Sequence, residues 1–334
     1  IKKKNFDLIA YSCSSKEDEY SNQLKRLFSD WYIIEDKNYE DIVKQINNDG
    51  IHILVDMQGH SDKNKLPIFA LKPAPIQITW LGQGTSGVSE IDYFIGDNYN
   101  VLKNEEKNYV EKVLRLPEIS QCFTPPEFNI KIKDLPALKN NFITFGCISR
   151  LEKINDEVIS LWSKVLLSVP NSKLLLKNGN LDNVEIINNV LDKFKKHGIE
   201  INRLILLGQS ITRKESLETY NRIDISLDPF PFQGNTNTCE SIWMGVPVIT
   251  LKGDRHLFHF GESINSNLNM NDWIAKNQED YIKKAIKFTH SFEKLSEIRK
   301  SLRKVFLESP LCDAPRFVKH FSKLFWEIWK KFEC

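Results

Sequence analysis

The stretch Asp224 to Leu251, DISLDPFPFQGNTNTCESIWMGVPVITL, decides how this chain is read. Asp224 to Asp228 alternates as a buried strand does. Gly234-Asn235-Thr236-Asn237-Thr238 is a loop of small hydrogen-bonding residues, and Cys239 to Met244 continues as a helix that Gly245 and Pro247 stop. A helix N-terminus aimed out of the carboxyl end of a parallel strand offers free N–H groups to an anion and suits a diphosphate. Glu240, one turn into the helix, is placed to accept from a ribose diol. The same residues also fit an ordinary βαβ unit in which Thr and Asn only cap the helix.

Outward from this stretch the same alternation recurs. Phe6 to Cys13, Ile51 to Met57, Ile76 to Trp80 and Ile91 to Ile95 read as strands, with polar helical segments over Glu17 to Phe28 and Asn38 to Asn48. Thr124 to Asn141 lapses into a run rich in Pro, Lys and Asn, the composition of an interdomain linker. Phe142 to Ile148 is then a strand, and Val158, Trp162, Val165, Leu166 and Val169 mark the apolar face of a helix. Ser172 to Leu176 and Arg203 to Leu207 are strands around a second helix stopped by Gly198. The expected division is a first Rossmann-like α/β domain over 1–125, a linker over 126–141 and a second over 142–308. A C-terminal helical segment over 309–334 is expected to pack across both. In its terminal helix, Phe317, Phe321, Leu324, Phe325, Ile328 and Trp329 fall on one stripe. Two such domains facing a central cleft is the arrangement of GT-B glycosyltransferases, which two-lobed binding proteins share.

Composition narrows the function classes. The chain has 334 residues, 41% of them hydrophobic and 27% charged, which places it among globular proteins with room for two domains. A net charge of +2 gives no electrostatic reason to expect nucleic acid or an anionic membrane as partner. Its apolar runs are too short and interrupted for a membrane span, and no signal peptide is visible. Six cysteines lie scattered without zinc-type spacing, so reduced thiols in a cytoplasm are expected. His52, inside the Ile51 to Val55 run, reads as structural. His256 and His259 are three apart without an obvious ligand set around them, so no metal site is expected.

A longer pattern is more specific. DGIHILVDMQGHSDKNKLPIFALKPAPIQITWLGQGTSGVSEIDY, from Asp49 to Tyr93, resembles the O-GlcNAc transferase and SPINDLY family, in which a Gly-His-Thr or Gly-Tyr-Thr turn precedes a Phe-Ala-x-Arg-Pro-Ala-Pro-x-Gln run and a Trp-Leu-Gly. The likeness continues through ITFGCISRLEKIND, LDPFPFQGNTNTCESIWMGVPVITLKG, AKNQEDY and SPLCDAPRF, and so covers almost the whole chain.

The resemblance implies site residues. Lys153 matches the lysine that meets the donor diphosphate and stabilises the leaving nucleoside diphosphate; Arg150 stands where the animal enzymes have a glutamine. In the glycine loop that opens at Gly234, Asn235, Thr236 and Asn237 stand where those enzymes have His-Thr-Thr, the first on the sugar and the next two on the phosphates. Glu240 takes the place of a ribose-binding aspartate, and Arg213 that of a basic residue beside the ribose. Ser216 falls where many members stack a histidine on the base, which serine cannot do. His60, in the turn MQGHSDKN, faces the acceptor and the transferred sugar, with Ser61, Lys65, Leu81 and Gly82 on the same side. Without the resemblance, Lys153 reads as a solvated helix-start lysine and His60 as a loop histidine.

The implied activity is inverting transfer of a sugar, without metal or cofactor, from a nucleotide diphosphate donor to Ser or Thr hydroxyls of protein or peptide acceptors. UDP-GlcNAc is the first donor expected and GDP-fucose, used in the SPINDLY branch, the second. A non-catalytic nucleotide-sugar-binding module is the alternative of a different class. Because the chain opens at Ile1, the expectation is of a catalytic region preceded in the full protein by helical repeats and by a first strand-to-helix connection bearing a further catalytic histidine.

Overall fold

The computed structural model of the protein describes residues 6–334. Its strands are β1 Ile9–Ser12, β2 Asp30–Ile33, β3 Ile53–Asp56, β4 Ile76–Trp80, β5 Tyr93–Asp97 and β6 Lys112–Leu116, followed by β7 Ile143–Ile148, β8 Ser172–Lys177, β9 Leu204–Leu207, β10 Ile225–Leu227, β11 Val248–Leu251 and β12 Ile274–Ala275. Among the described residues every strand pairing is parallel. They form a β1-β2 pair, a sheet ordered β3-β4-β5-β6 and a sheet ordered β12-β11-β10-β7-β8-β9. Parallel strands need crossovers, and the amphipathic helices between them supply these.

The chain divides into two compact units, Ile1–Ser120 with Pro315–Cys334, and Gln121–Ala314. In the first, the helix Tyr39–Asn48 starts at Asn38, whose side chain accepts from the Asp41 N–H, and carries Glu40 and Asp41 in its first turn, where the helix dipole favours acids. Ile42 and Ile46, four apart, put its buried face against Leu54, Leu66 and Phe69. On the other face of the β3-β4-β5-β6 sheet lies the terminal helix Ala314–Glu333, with Phe321, Phe325 and Ile328 buried against Ile76, Ile78 and Ile95. All six residues of the stripe seen in the sequence join this core. From Pro315 onward the helix belongs to the first unit, and this packing is on that unit's sheet.

In the second unit the helix Asp156–Ser168, capped by the Asn155 side chain, buries Val158, Leu161, Trp162 and Val165 on the six-stranded sheet. The stretch expected as a linker, 126–141, is part of this unit. Its backbone is bonded down: the Lys133 N–H donates to Asn221 and the Ala137 N–H to Asp224. Pro-rich composition there reflects an irregular path over the domain, where each N–H still needs a partner. A second departure lies in the glycine loop. The helix runs Thr236–Trp243, so Thr236, Asn237 and Thr238 form its first turn and the loop ends at Asn235.

Candidate functional site

In a parallel sheet all strands deliver their following loops to one edge, so residues distant in sequence collect at the carboxyl ends. In the second unit β10 ends at Leu227, and the chain passes through Asp228 and Gln233 to Gly234 and the helix Thr236–Trp243. Asn235 occupies the N-cap position without a side-chain cap bond, so its side chain does not occupy the first-turn N–H groups. Thr236 is exposed and Asn235 partly so. The Asn237 side chain donates to the Ile148 carbonyl at the end of β7, and the Asn237 carbonyl accepts from the Tyr220 hydroxyl at 3.1 Å. Beneath the loop lies a hollow of roughly 20 Å³ lined by Cys147, Ser149, Tyr220, Asp228, Asn237 and Ser241, about enough for a water molecule.

Lys153 comes to this loop from the turn after β7. Its ammonium donates to the Gln233 carbonyl at 2.8 Å and lies 3.7 Å from the Phe232 ring centre, a cation–π contact. Burial pulls the ammonium below its ordinary range, opposed by the Asp228 carboxylate. Arg150 is exposed, at the N-cap of the same short turn. On the following loops, Arg213 donates to Glu240 at 3.3 Å. Burial raises the Glu240 carboxyl, against the attraction of Arg213. Ser216 is part of the helix Arg213–Glu218 on that side. The second unit therefore gathers Lys153, Gly234, Asn235, Thr236, Asn237, Glu240 and Arg213 around one helix start, with Arg150 beside them in the chain.

The first unit assembles a smaller group at the ends of β2, β3 and β4. His60 is exposed, with Nε2 3.0 Å from the Thr85 carbonyl. Its turn is shaped by Gly59, at φ 53°, whose missing side chain lets it meet Gly82: a Cβ there would sit 3.0 Å from the Gly82 Cα. Leu81, exposed and at φ 64°, leads into Gly82. Ser61 follows His60 and its carbonyl accepts from the Asn64 side chain at 2.9 Å. Lys65 is tied to the Glu35 carbonyl at 2.9 Å.

His52 and His259 are placed as packing groups. His52 meets the Trp329 ring edge-on at 4.8 Å. His259 is buried and bonded to Glu262 at 2.8 Å, an acid the sequence reading passed over. Among the described residues no group of three or more His, Cys, Asp or Glu side chains is arranged to hold a metal ion, and no helix is long and apolar enough to cross a membrane. The reading also passed over Asp228, Gln233 and Thr250. Only the fold shows that they are buried, and a buried carboxylate at a strand end needs partners.

Two parallel α/β units with the candidate residues at strand carboxyl ends have the architecture of the GT-B class, and a solved structure agrees. The chain superposes on the O-GlcNAc transferase of Thermobaculum terrenum with a TM-score of 0.92 and 29% identity, over 98% of this chain and 62% of that one. The family model of glycosyl transferase family 41 matches residues 2–125 and 122–321. The chain belongs to that family. It is similar to the probable UDP-N-acetylglucosamine–peptide N-acetylglucosaminyltransferases SPINDLY of Eustoma exaltatum subsp. russellianum, at 34% identity, and of Arabidopsis thaliana, at 33%, each over 98% of this chain. It spans 36% of the length of those relatives.

Proposed function

We propose that this chain is the catalytic region of a protein O-glycosyltransferase that moves a sugar from a nucleotide diphosphate donor to Ser or Thr hydroxyls of peptides, with inversion and without a metal. The observation that carries the reading is the helix start at Gly234–Thr236 with the Lys153 ammonium held on the same loop. Breaking a sugar–diphosphate bond builds negative charge on the leaving oxygen. A cation and free N–H groups placed beforehand stabilise that charge without reorganisation. In this reading Thr236 and Asn237 meet the phosphates and Asn235 the sugar. Glu240 and Arg213 hold the ribose, exchanging part of their mutual ion pair for its hydroxyls. Arg150 adds positive charge near the diphosphate. His60 in the first unit, with Ser61, Lys65, Leu81 and Gly82 around it, serves the transferred sugar and the acceptor.

The names of the plant relatives and of the Thermobaculum terrenum enzyme favour UDP-GlcNAc as donor. GDP-fucose is the second donor, because Ser216 leaves the base without the stacking partner that a histidine would give. Calorimetric titration with UDP and with GDP decides between them: UDP is expected to bind more tightly, GDP preference would move the assignment to the second donor, and silence with both would remove the reading. Excess EDTA is expected to leave transfer intact, and loss restored by Mn or Mg ions would overturn the metal-free mechanism.

A further inference from the structure

We propose that Asp228 is a positioning residue that holds the loop at Gly234 through its N–H and so presets the start of the helix Thr236–Trp243 to receive the donor diphosphate, an inference that rests on the functional reading just given. Asp228 follows β10 and is 3% exposed. Its Oδ1 accepts from the Gly234 N–H at 2.7 Å and its Oδ2 from the Thr250 hydroxyl on β11 at 2.9 Å. Two glycines make room for the carboxylate. A Cβ on Gly234 would lie 2.6 Å from the Thr238 hydroxyl and 3.2 Å from Asp228 Oδ1, and one on Gly261 would lie 2.5 Å from Asp228 Oδ2.

Gln233 completes the bracket. Its Oε1 accepts from the Gly261 N–H at 2.7 Å, its N–H donates to the Leu257 carbonyl at 3.0 Å, and its own carbonyl accepts from Lys153. The loop that ends in Gly234 is thus fixed on both sides, and Lys153 is fixed to it. Burying a carboxylate near the place where another anion should sit is adverse for charge alone. Orientation is what the carboxylate supplies in return: it holds one amide and one hydroxyl in a buried site, so the first turn of the helix stays put.

The same device recurs in the first unit, around the turn that carries His60. Asp56 closes β3, accepts from the Gly59 N–H at 3.1 Å and from the Thr79 hydroxyl on the neighbouring strand at 2.8 Å, and is buried. Asp97 closes β5 and brackets the Tyr99 and Asn100 amides, but its turn carries no candidate site residue.

The test titrates the wild type, Asp228→Ala, Asp228→Asn, Thr250→Val and, as control, Asp97→Asn with UDP or GDP by calorimetry. The corresponding nucleoside is followed by ligand-observed NMR. Asp228→Ala is expected to weaken the diphosphate by about tenfold to hundredfold with the nucleoside unchanged, Thr250→Val by less, and Asp228→Asn to restore most of the loss because its amide oxygen still accepts from Gly234. Asp97→Asn should leave the difference between diphosphate and nucleoside as in the wild type. Equal diphosphate affinity in wild type and variants overturns the proposal, and so does an equal loss of nucleoside and diphosphate, which would mark Asp228 as scaffold only. If Asp228→Ala does not fold, Thr250→Val decides: an unchanged diphosphate affinity overturns the proposal. A wild type that binds neither diphosphate removes the functional reading itself, a result distinct from variants that match a binding wild type.

Discussion

Lys153 has two attachments that a solvated lysine lacks, a bond to the Gln233 carbonyl and the face of Phe232, and both partners belong to the loop that leads into Gly234. Cation and amide are therefore delivered by one segment. Lys153→Ala is expected to lower kcat/KM for the donor by about 2–4 kcal/mol, the scale for losing one preplaced charge donor. Unchanged turnover would take the lysine out of the reaction. His60 differs, since the proposal gives it the sugar and not the nucleotide. His60→Ala should lower kcat with nucleoside diphosphate affinity kept, and a parallel fall in both would contradict that division. The buried acids add a pH dependence. Burial pushes the Asp228 carboxyl up to about 7 and Asp224 up to about 6, against an unfolded value of about 4. A carboxyl raised in the fold supports stability fully below its unfolded pKa and loses that contribution as pH rises through the folded one. Urea midpoints should therefore fall from about pH 4 to about pH 7, less steeply in Asp228→Asn. Equal slopes in wild type and variant would contradict the assignment.

Among the elements, the terminal helix Ala314–Glu333 has the clearest sequence origin. Its aromatic stripe recurs at helical spacing, and the stripe is the face that packs: Phe321 lies 4.6 Å from the Trp80 ring and 4.6 Å from Phe325. Phe321→Ala should cost about 3–5 kcal/mol, read by chemical denaturation, while the exposed Trp326→Ala should cost far less. Equal losses would show that the stripe is not the packing face. Shorter elements were harder to read. β2, DWYI, and β6, KVLRL, escape a periodicity reading because each is only four or five residues long and opens on a charged residue. The start of the helix Thr236–Trp243 was read three residues late, since Thr-Asn-Thr looks like loop until the fold shows Gly234 bonded to Asp228 and the next turn already wound. The stretch 126–141 looks like a linker for the same reason: composition reports irregular backbone and is silent on where its N–H groups bond.

At the scale of the whole molecule, α/β alternation was legible in the sequence because parallel strands buried on both faces leave continuous apolar runs. Beyond the segment Gly234 to Glu240, the candidate site was legible only through matched motifs. Glu240 and Arg213 are 27 residues apart, and Lys153 and Gln233 80 apart. Only the sheet order, which places β10 beside β7, brings the second pair together. The bracket of Asp228, Thr250 and Gln233 was invisible for that reason, since its members are ordinary strand-end and loop residues until they meet. The central claim is that a nucleoside diphosphate sits on this helix start with Lys153 at its phosphates. The most direct measurement is a crystal structure of the chain with UDP bound. Phosphate oxygens are expected within hydrogen-bond reach of the Thr236 and Asn237 amides and of the Lys153 ammonium, with the ribose at Glu240. UDP bound elsewhere, or a diphosphate out of reach of both Lys153 and the helix start, would contradict it.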